Sequence, residues 1–155
     1  MSHLNGAIGT VQVDRLRGFN EQRQEISEQL ASELSDLDWL EPATVREYVD
    51  HAYFWAPFEI RESEIGMSGK QVWAELQERG VETRHRYNVP LYDQPVFADH
   101  RGFNSEFPWS VNPNDHSYDL SLPNVEEVVG SMIGLPNHPG LEPEDVKYVI
   151  ETVRG

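Results

Sequence analysis

The chain has 155 residues, 38% hydrophobic and 10% aromatic, which suits one globular domain with a real core and excludes a disordered segment. A net charge of −15 argues against nucleic-acid backbones and anionic membranes, since both would repel it. The absence of cysteine excludes disulfides, thiolate catalysis and cysteine-ligated metal centres.

In chain order, Ser2 to about Asp14 reads as an amphipathic helix, with Leu4, Ala7, Ile8 and Val11 at helical spacing. Gly18 marks a kink, and Phe19, Ile26, Leu30 and Leu34 continue the stripe. The pattern fits two consecutive helices or one long bent one, ending near Leu34. Residues 35–49 read as an acidic, Pro-containing connection. His51–Ile60 is the best strand candidate, with Ala52, Phe54, Ala56, Phe58 and Ile60 sharing one face. Pro57 points to an edge position or a bulge.

Ser68 and Gln71 form a capping box opening a helix that runs to Arg79, with Val72, Trp73 and Leu76 inward and Gly80 as its terminating glycine. A strand over Thr83–Tyr87 follows. Residues 90–114 read as a loop with a helical turn near Tyr92–Phe97, and a loop of that length is usually functional or packed on a partner. Pro123–Met132 reads as a helix with Val125, Val128, Val129 and Met132 inward, and Ile133–Leu135 as a third strand. Pro143 opens a last helix whose stripe is Val146, Val149, Ile150 and Val153; Glu142 is a weak cap, offset by the acidic first turn. The expected fold class is α+β: a small antiparallel sheet of about three strands covered by helices.

No apolar run reaches the length of a membrane span, and no charged-then-apolar leader opens the chain. A cytoplasmic protein is expected. Ten arginines against two lysines, beside 27 carboxylates, resemble the composition of proteins from salt-adapted cells. A halophilic source is therefore expected.

Four segments, in order, resemble the DegT/DnrJ/StrS family of pyridoxal-phosphate-dependent sugar aminotransferases. MSHLNGAIGTVQVDRL is similar to the family's R-M-S-E-x-x-A-A-I-G-x-x-Q-L-x-x-L helix, and HAYFWAPFEI to its H-x-Y-x-x-Y-x-I strand. GVETRHRYNVPLYDQPVF resembles G-I-x-T-x-x-x-Y-x-P-L-x-x-Q-P-x-F, and LPNHPGLEPEDVKYVIETVRG the carboxyl-terminal signature. The resemblance covers nearly the whole chain and implies only the small carboxyl-terminal domain of such an enzyme. The large domain, with the cofactor lysine, would lie elsewhere; a gene remnant, a shortened gene reading and a separate subunit all fit.

The resemblance implies transfer of an amino group from an amino acid such as glutamate or glutamine to a keto-sugar, sugar nucleotide or cyclitol. It implies substrate contacts at Arg86 and Tyr87, and Tyr92, in the same loop where Arg84, His85, Arg86 and Tyr87 cluster, is a third candidate. Arg86 falls where many members carry His, and an arginine there could clasp a phosphate or carboxylate. Lys70 and Lys147 both sit on predicted helix surfaces beside acidic residues. Neither is expected to form a Schiff base, so no cofactor is expected to bind this chain alone, and no activity is expected from it alone. His138 is expected to brace a turn. His85, His100 and His116 with Asp99 and Asp115 match no metal-ligand spacing, so no metal site is expected. The expected partner is the missing large domain or a second copy, because Leu4, Ile8, Phe54 and Trp55 would otherwise stay exposed. The alternative is a non-catalytic ligand- or partner-binding module built from the same domain.

Overall fold

A computed structural model describes residues 2–85, 89–111 and 120–155. The chain opens with one long helix, α1 (His3–Glu33). Ser2 caps it, its hydroxyl accepting the Asn5 N–H at 3.2 Å. The helix passes Gly18 unbroken, so the two apolar stripes belong to one rod. At 1.5 Å per residue it is about 46 Å long. Its two ends differ. Leu30 and the capping residue Leu34 are fully buried, whereas Leu4, Ile8, Val11, Val13 and Leu16 are exposed.

The sheet has three strands in the order β1 (Leu40–Pro42), β2 (Ala56–Ile60), β3 (Met132–Leu135), all antiparallel. β1 lies within the expected connection, and β2 is half the expected strand. Ala56, Phe58 and Ile60 alternate inward as expected, but Ala52 and Phe54 precede the strand and are exposed. β2 is the central strand, which corrects the edge placement inferred from Pro57. The ladder tolerates the proline for a specific reason. Opposite it, Gly134 spends both backbone groups on Arg84, on its other side. The Pro57 carbonyl accepts from Ala43 N–H just past the end of β1, so its missing N–H also falls there. No β2–β3 bond is lost.

After a short turn of helix, α2 (Glu62–Ile65), comes α3 (Gly69–Glu78). The capping box is present: Ser68 N–H donates to Gln71 Oε1 at 2.9 Å, and the Ser68 hydroxyl accepts from Gln71 N–H. Gly69 has no room for a side chain, because an added Cβ would stand 2.8 Å from the Gly130 carbonyl. Two short turns follow, Leu91–Asp93 and α4 (Pro95–Ala98), where a helical turn was expected. α5 (Pro123–Ser131) leads directly into β3, and α6 (Pro143–Arg154) closes the fold. The inward face of the sheet packs with Leu30 and Leu34 of the first helix, Val72 and Leu76 of α3, and the Val146, Val149, Ile150 and Val153 stripe of α6. Each fully buried aliphatic side chain contributes about 1.5–3 kcal/mol relative to exposure. α5 departs from expectation: none of its residues is buried, and Val125 and Val128 face outward.

Candidate functional site

The site is built around the segment that leaves α3. Gly80 adopts a left-handed backbone (φ 81°). Its N–H reaches the Gln77 carbonyl, and the Val81 N–H reaches Leu76, the paired bonds of a Schellman terminus. Val81 is buried against the core and fixes the exit direction. Thr83 is buried next, its carbonyl accepting from Trp73 Nε1 at 3.2 Å and Gln77 Nε2 at 2.7 Å. Arg84 then exchanges two backbone hydrogen bonds with Gly134, at 2.8 and 2.7 Å. Where a strand over Thr83–Tyr87 was expected, the described residues make this single bridge on the outer edge of β3.

This anchoring aims the side chains of Arg84 and His85. The Arg84 guanidinium stands 6.0 Å from the centre of the Phe54 ring, within cation–π range, with the Glu82 carboxylate 3.9 Å away. His85 donates from Nδ1 to the Met132 carbonyl at 3.1 Å, which fixes its proton on that nitrogen, and its ring lies 6.5 Å from that of Trp73. Arg86 and Tyr87, two of the three residues expected to touch substrate, lie outside the described residues. Tyr92, the third, is half-buried at the start of the next segment. Its hydroxyl donates to Glu126 Oε1 at 3.2 Å, the same oxygen that accepts the Leu122 N–H. Desolvation first, and then the Glu126 bond, raise the Tyr92 phenol above its ordinary pKa.

Between these walls lies an apolar groove of roughly 750 Å³, lined by Phe54, Val89, Pro90, Leu91, Val125 and Val129, with Gln94 at its side. The Tyr92–Glu126 bond ties one wall to the other. Phe54 also lines a second, smaller cleft with Trp55, Arg84, Pro136, Asn137 and His138. Phe54 is thus a ridge shared by both depressions, and it is 70% exposed. Alternation placed it in the core. The reading failed because the extended backbone starts only at Ala56: the chain bends at Phe54 and Trp55, just after Tyr53 in its left-handed conformation (φ 41°), so the alternation does not reach back to Phe54. No periodicity signal marks that bend. The arrangement is apolar with one guanidinium at its rim, suited to a ligand carrying an anionic group beside an apolar face.

His138 Nδ1 accepts from Gly140 N–H at 3.2 Å and so braces the turn before α6. Asp145 receives the Glu142 N–H at 2.9 Å, so the acidic first turn itself helps cap that helix. Among the described residues no group of three or more His, Asp or Glu side chains is arranged to hold a metal ion, and no helix is long and apolar enough to cross a membrane.

The profile of the DegT/DnrJ/EryC1/StrS aminotransferase family matches residues 1–154. A dTDP-4-dehydro-2,3,6-trideoxy-D-glucose 4-aminotransferase of Saccharopolyspora spinosa is 28% identical over 153 residues, which are 96% of this chain and 32% of that protein. The aminotransferase TlmJ from Streptoalloteichus hindustanus superposes with a TM-score of 0.72 at 27% identity, over 95% of this chain and 34% of that one. DesV of S. venezuelae, solved in complex with a ketimine intermediate, superposes at 0.73 and 21% identity, over 96% and 34%, a likeness of fold. The chain therefore spans about a third of the length of these relatives.

The cofactor of such enzymes requires a lysine amine. Lys147 is exposed on α6 and pairs with Glu151 at 3.6 Å, and Lys70 is exposed on the first turn of α3. Both are on outer helix surfaces, away from the two depressions beside Phe54. The described residues do not fit a Schiff-base site for pyridoxal phosphate.

Proposed function

The chain belongs to the DegT/DnrJ/EryC1/StrS aminotransferase family, and from that premise we propose that it is the substrate-side carboxyl-terminal domain of a sugar aminotransferase. It works with a lysine-bearing large domain supplied in cis or in trans. The reaction is amino transfer from an amino acid such as glutamate or glutamine to a keto-sugar, sugar nucleotide or cyclitol. This chain's part is to hold the acceptor, with Phe54 on the wall, Tyr92 tying the groove's two sides through Glu126, Arg84 at the rim, and Arg86 and Tyr87 between Arg84 and Tyr92 in sequence. The observation that carries this reading is the exposed Phe54 ridge beside the Arg84 guanidinium, on a chain that spans a third of aminotransferase relatives. The apolar stripe on the first half of α1 supports docking of a large domain, since Leu4, Ile8 and Val11 share one face and are uncovered in this chain. A cytoplasmic, salt-adapted setting and a dimeric assembly complete the proposal.

The test is to express this chain with whatever lysine-bearing domain is encoded in frame upstream of Met1 or beside it. The assembly is expected to transaminate in the presence of pyridoxal phosphate and glutamate, and Phe54→Ala to raise KM for the sugar about tenfold with kcat little changed, as loss of uniform binding predicts. An assembly that binds the cofactor and transfers no amino group to any keto-sugar would overturn the reading.

A further inference from the structure

We propose that Asn137 is a positioning residue for the ligand-facing wall. Its side-chain amide holds the Tyr53 carbonyl, at the head of the bend that carries Phe54 out beside Arg84 and lays Trp55 over Gly134. The functional half of this inference rests on the proposed reading of Phe54 and Arg84 as a substrate wall; the mechanical half does not.

Asn137 is 3% exposed, and its side-chain amide donates twice. One bond goes to the Tyr53 carbonyl at 2.8 Å, the other to Ser27 Oγ at 3.1 Å. Ser27 is equally buried, and its own hydroxyl proton is committed to the Arg23 carbonyl at 2.7 Å. The serine oxygen can therefore act toward Asn137 only as an acceptor. Both partners are acceptors, so the position demands a group with two donors on one nitrogen. Aspartate, of the same shape, donates nothing. On the other side of Tyr53, its N–H donates to His51 Nδ1 at 3.0 Å, and the two rings lie 4.2 Å apart. One peptide unit on each side of Tyr53 is thus pinned by a side chain.

A bulky residue with φ of 41° is strained and persists only where its surroundings over-determine it. The clamp supplies that determination, and its consequences are local and specific. The held carbonyl leads into the bend at Phe54 and Trp55, where the alternation of β2 ends, so Phe54 is exposed although Ala56, Phe58 and Ile60 are buried. Trp55 folds onto the sheet so closely that a Cβ on Gly134 would stand 2.0 Å from its ring. Gly134 is also the residue that holds Arg84 by two backbone bonds. A single buried amide thereby fixes the ridge, the ring behind it and the strand edge that carries the guanidinium. Through Ser27 it anchors them to α1, whose uncovered half is the proposed docking face.

The Gly134 proton that points at the Trp55 ring gives a direct readout, because the ring current moves its resonance upfield. In the full chain, Asn137→Ala and Asn137→Asp are both expected to return that resonance toward an unshifted value while the methyl signals of Leu30 and Ile133 stay in place. Tyr53→Gly in the Asn137→Ala background is expected to restore the shift, since glycine takes the left-handed conformation without a clamp. Retention of the upfield signal in Asn137→Ala overturns the proposal. If that variant does not fold, the double variant decides: folding with the shift present supports the clamp, and failure to fold overturns it. Titration of the same samples with deoxythymidine diphosphate separates the two halves. Phe54 ring signals of the parent chain are expected to respond, with the half-saturation concentration raised at least tenfold by Asn137→Ala. No response in the parent chain would sink the substrate-wall reading and leave the clamp to be judged on Gly134.

Discussion

Arg154, near the chain's last residue, reaches across to the first helix. Its guanidinium is bidentate to the Asp36 carboxylate, with one arm at 3.0 Å, and also donates to the Glu33 carbonyl. That last bond satisfies one of the carbonyls left open where α1 ends. The hydrogen bond from Arg154 holds the Asp36 carboxyl below its ordinary pKa, and the same bond raises that of the arginine. Both side chains are substantially exposed, so water screens the pair and its contribution is small. Its pH dependence is still defined in sign. A carboxylate with a depressed pKa in the folded state contributes stability above its unfolded value of about 3.9, and loses it as pH falls through the folded value. Asp36→Asn is therefore expected to lower Tm by a constant amount between pH 5 and 8, with the gap closing below about pH 4. Melting curves across pH 2 to 8 check this, and a gap unchanged at pH 2 would assign the loss to something other than the ion pair.

At the scale of elements, the local signals were the legible ones. The Ser68–Gln71 box and the Gly80 terminus are set by residues within five positions of each other, and both form as read. β1 was not legible, because three residues, Leu40–Pro42, become a strand only through pairing with Phe58–Ile60. The Phe54 ridge was not legible either, since it depends on Asn137 more than eighty positions away. For α1 and α5, periodicity reports an apolar face without reporting what covers it. Two of the helix-associated glycines show how context sets the sign of one substitution. Gly80 has positive φ, so Gly80→Ala is expected to cost about 1 kcal/mol or more. Gly18 is helical, exposed, and has nothing within 4 Å of an added Cβ, so Gly18→Ala is expected to stabilise by up to about 1 kcal/mol. Urea unfolding of both variants tests the pair. Equal signs would mean that the assigned backbone conformation at one of the two positions is wrong.

At the scale of the whole molecule, charge is segregated along the chain. Residues 1–20 hold Asp14 against Arg15 and Arg17, a net of +1, while the remaining 135 hold 26 acids against ten cations, a net of −16. The uncovered apolar stripe of α1 lies in the near-neutral part, and the folded body carries the repulsion. Two effects of salt follow and act on different quantities. Within one chain, added ions screen carboxylate repulsion, which shrinks from a range of about 10 Å at 0.1 M to about 3 Å at 1 M. Between chains, the same screening lets apolar stripes approach and associate. Tm is therefore expected to rise from 0.05 M to 2 M KCl, most steeply at the low end where the screening length changes fastest. Repeating the series at tenfold higher protein concentration separates the two effects. A rise independent of concentration is screening within the body, and an added, concentration-dependent rise reports association, because binding between folded copies stabilises them by mass action. A Tm indifferent to KCl would refute the salt-adapted reading. A sedimentation profile that stays monomeric at 2 M KCl would show that the stripe on α1 does not pair with its own copy and needs a different surface to cover it.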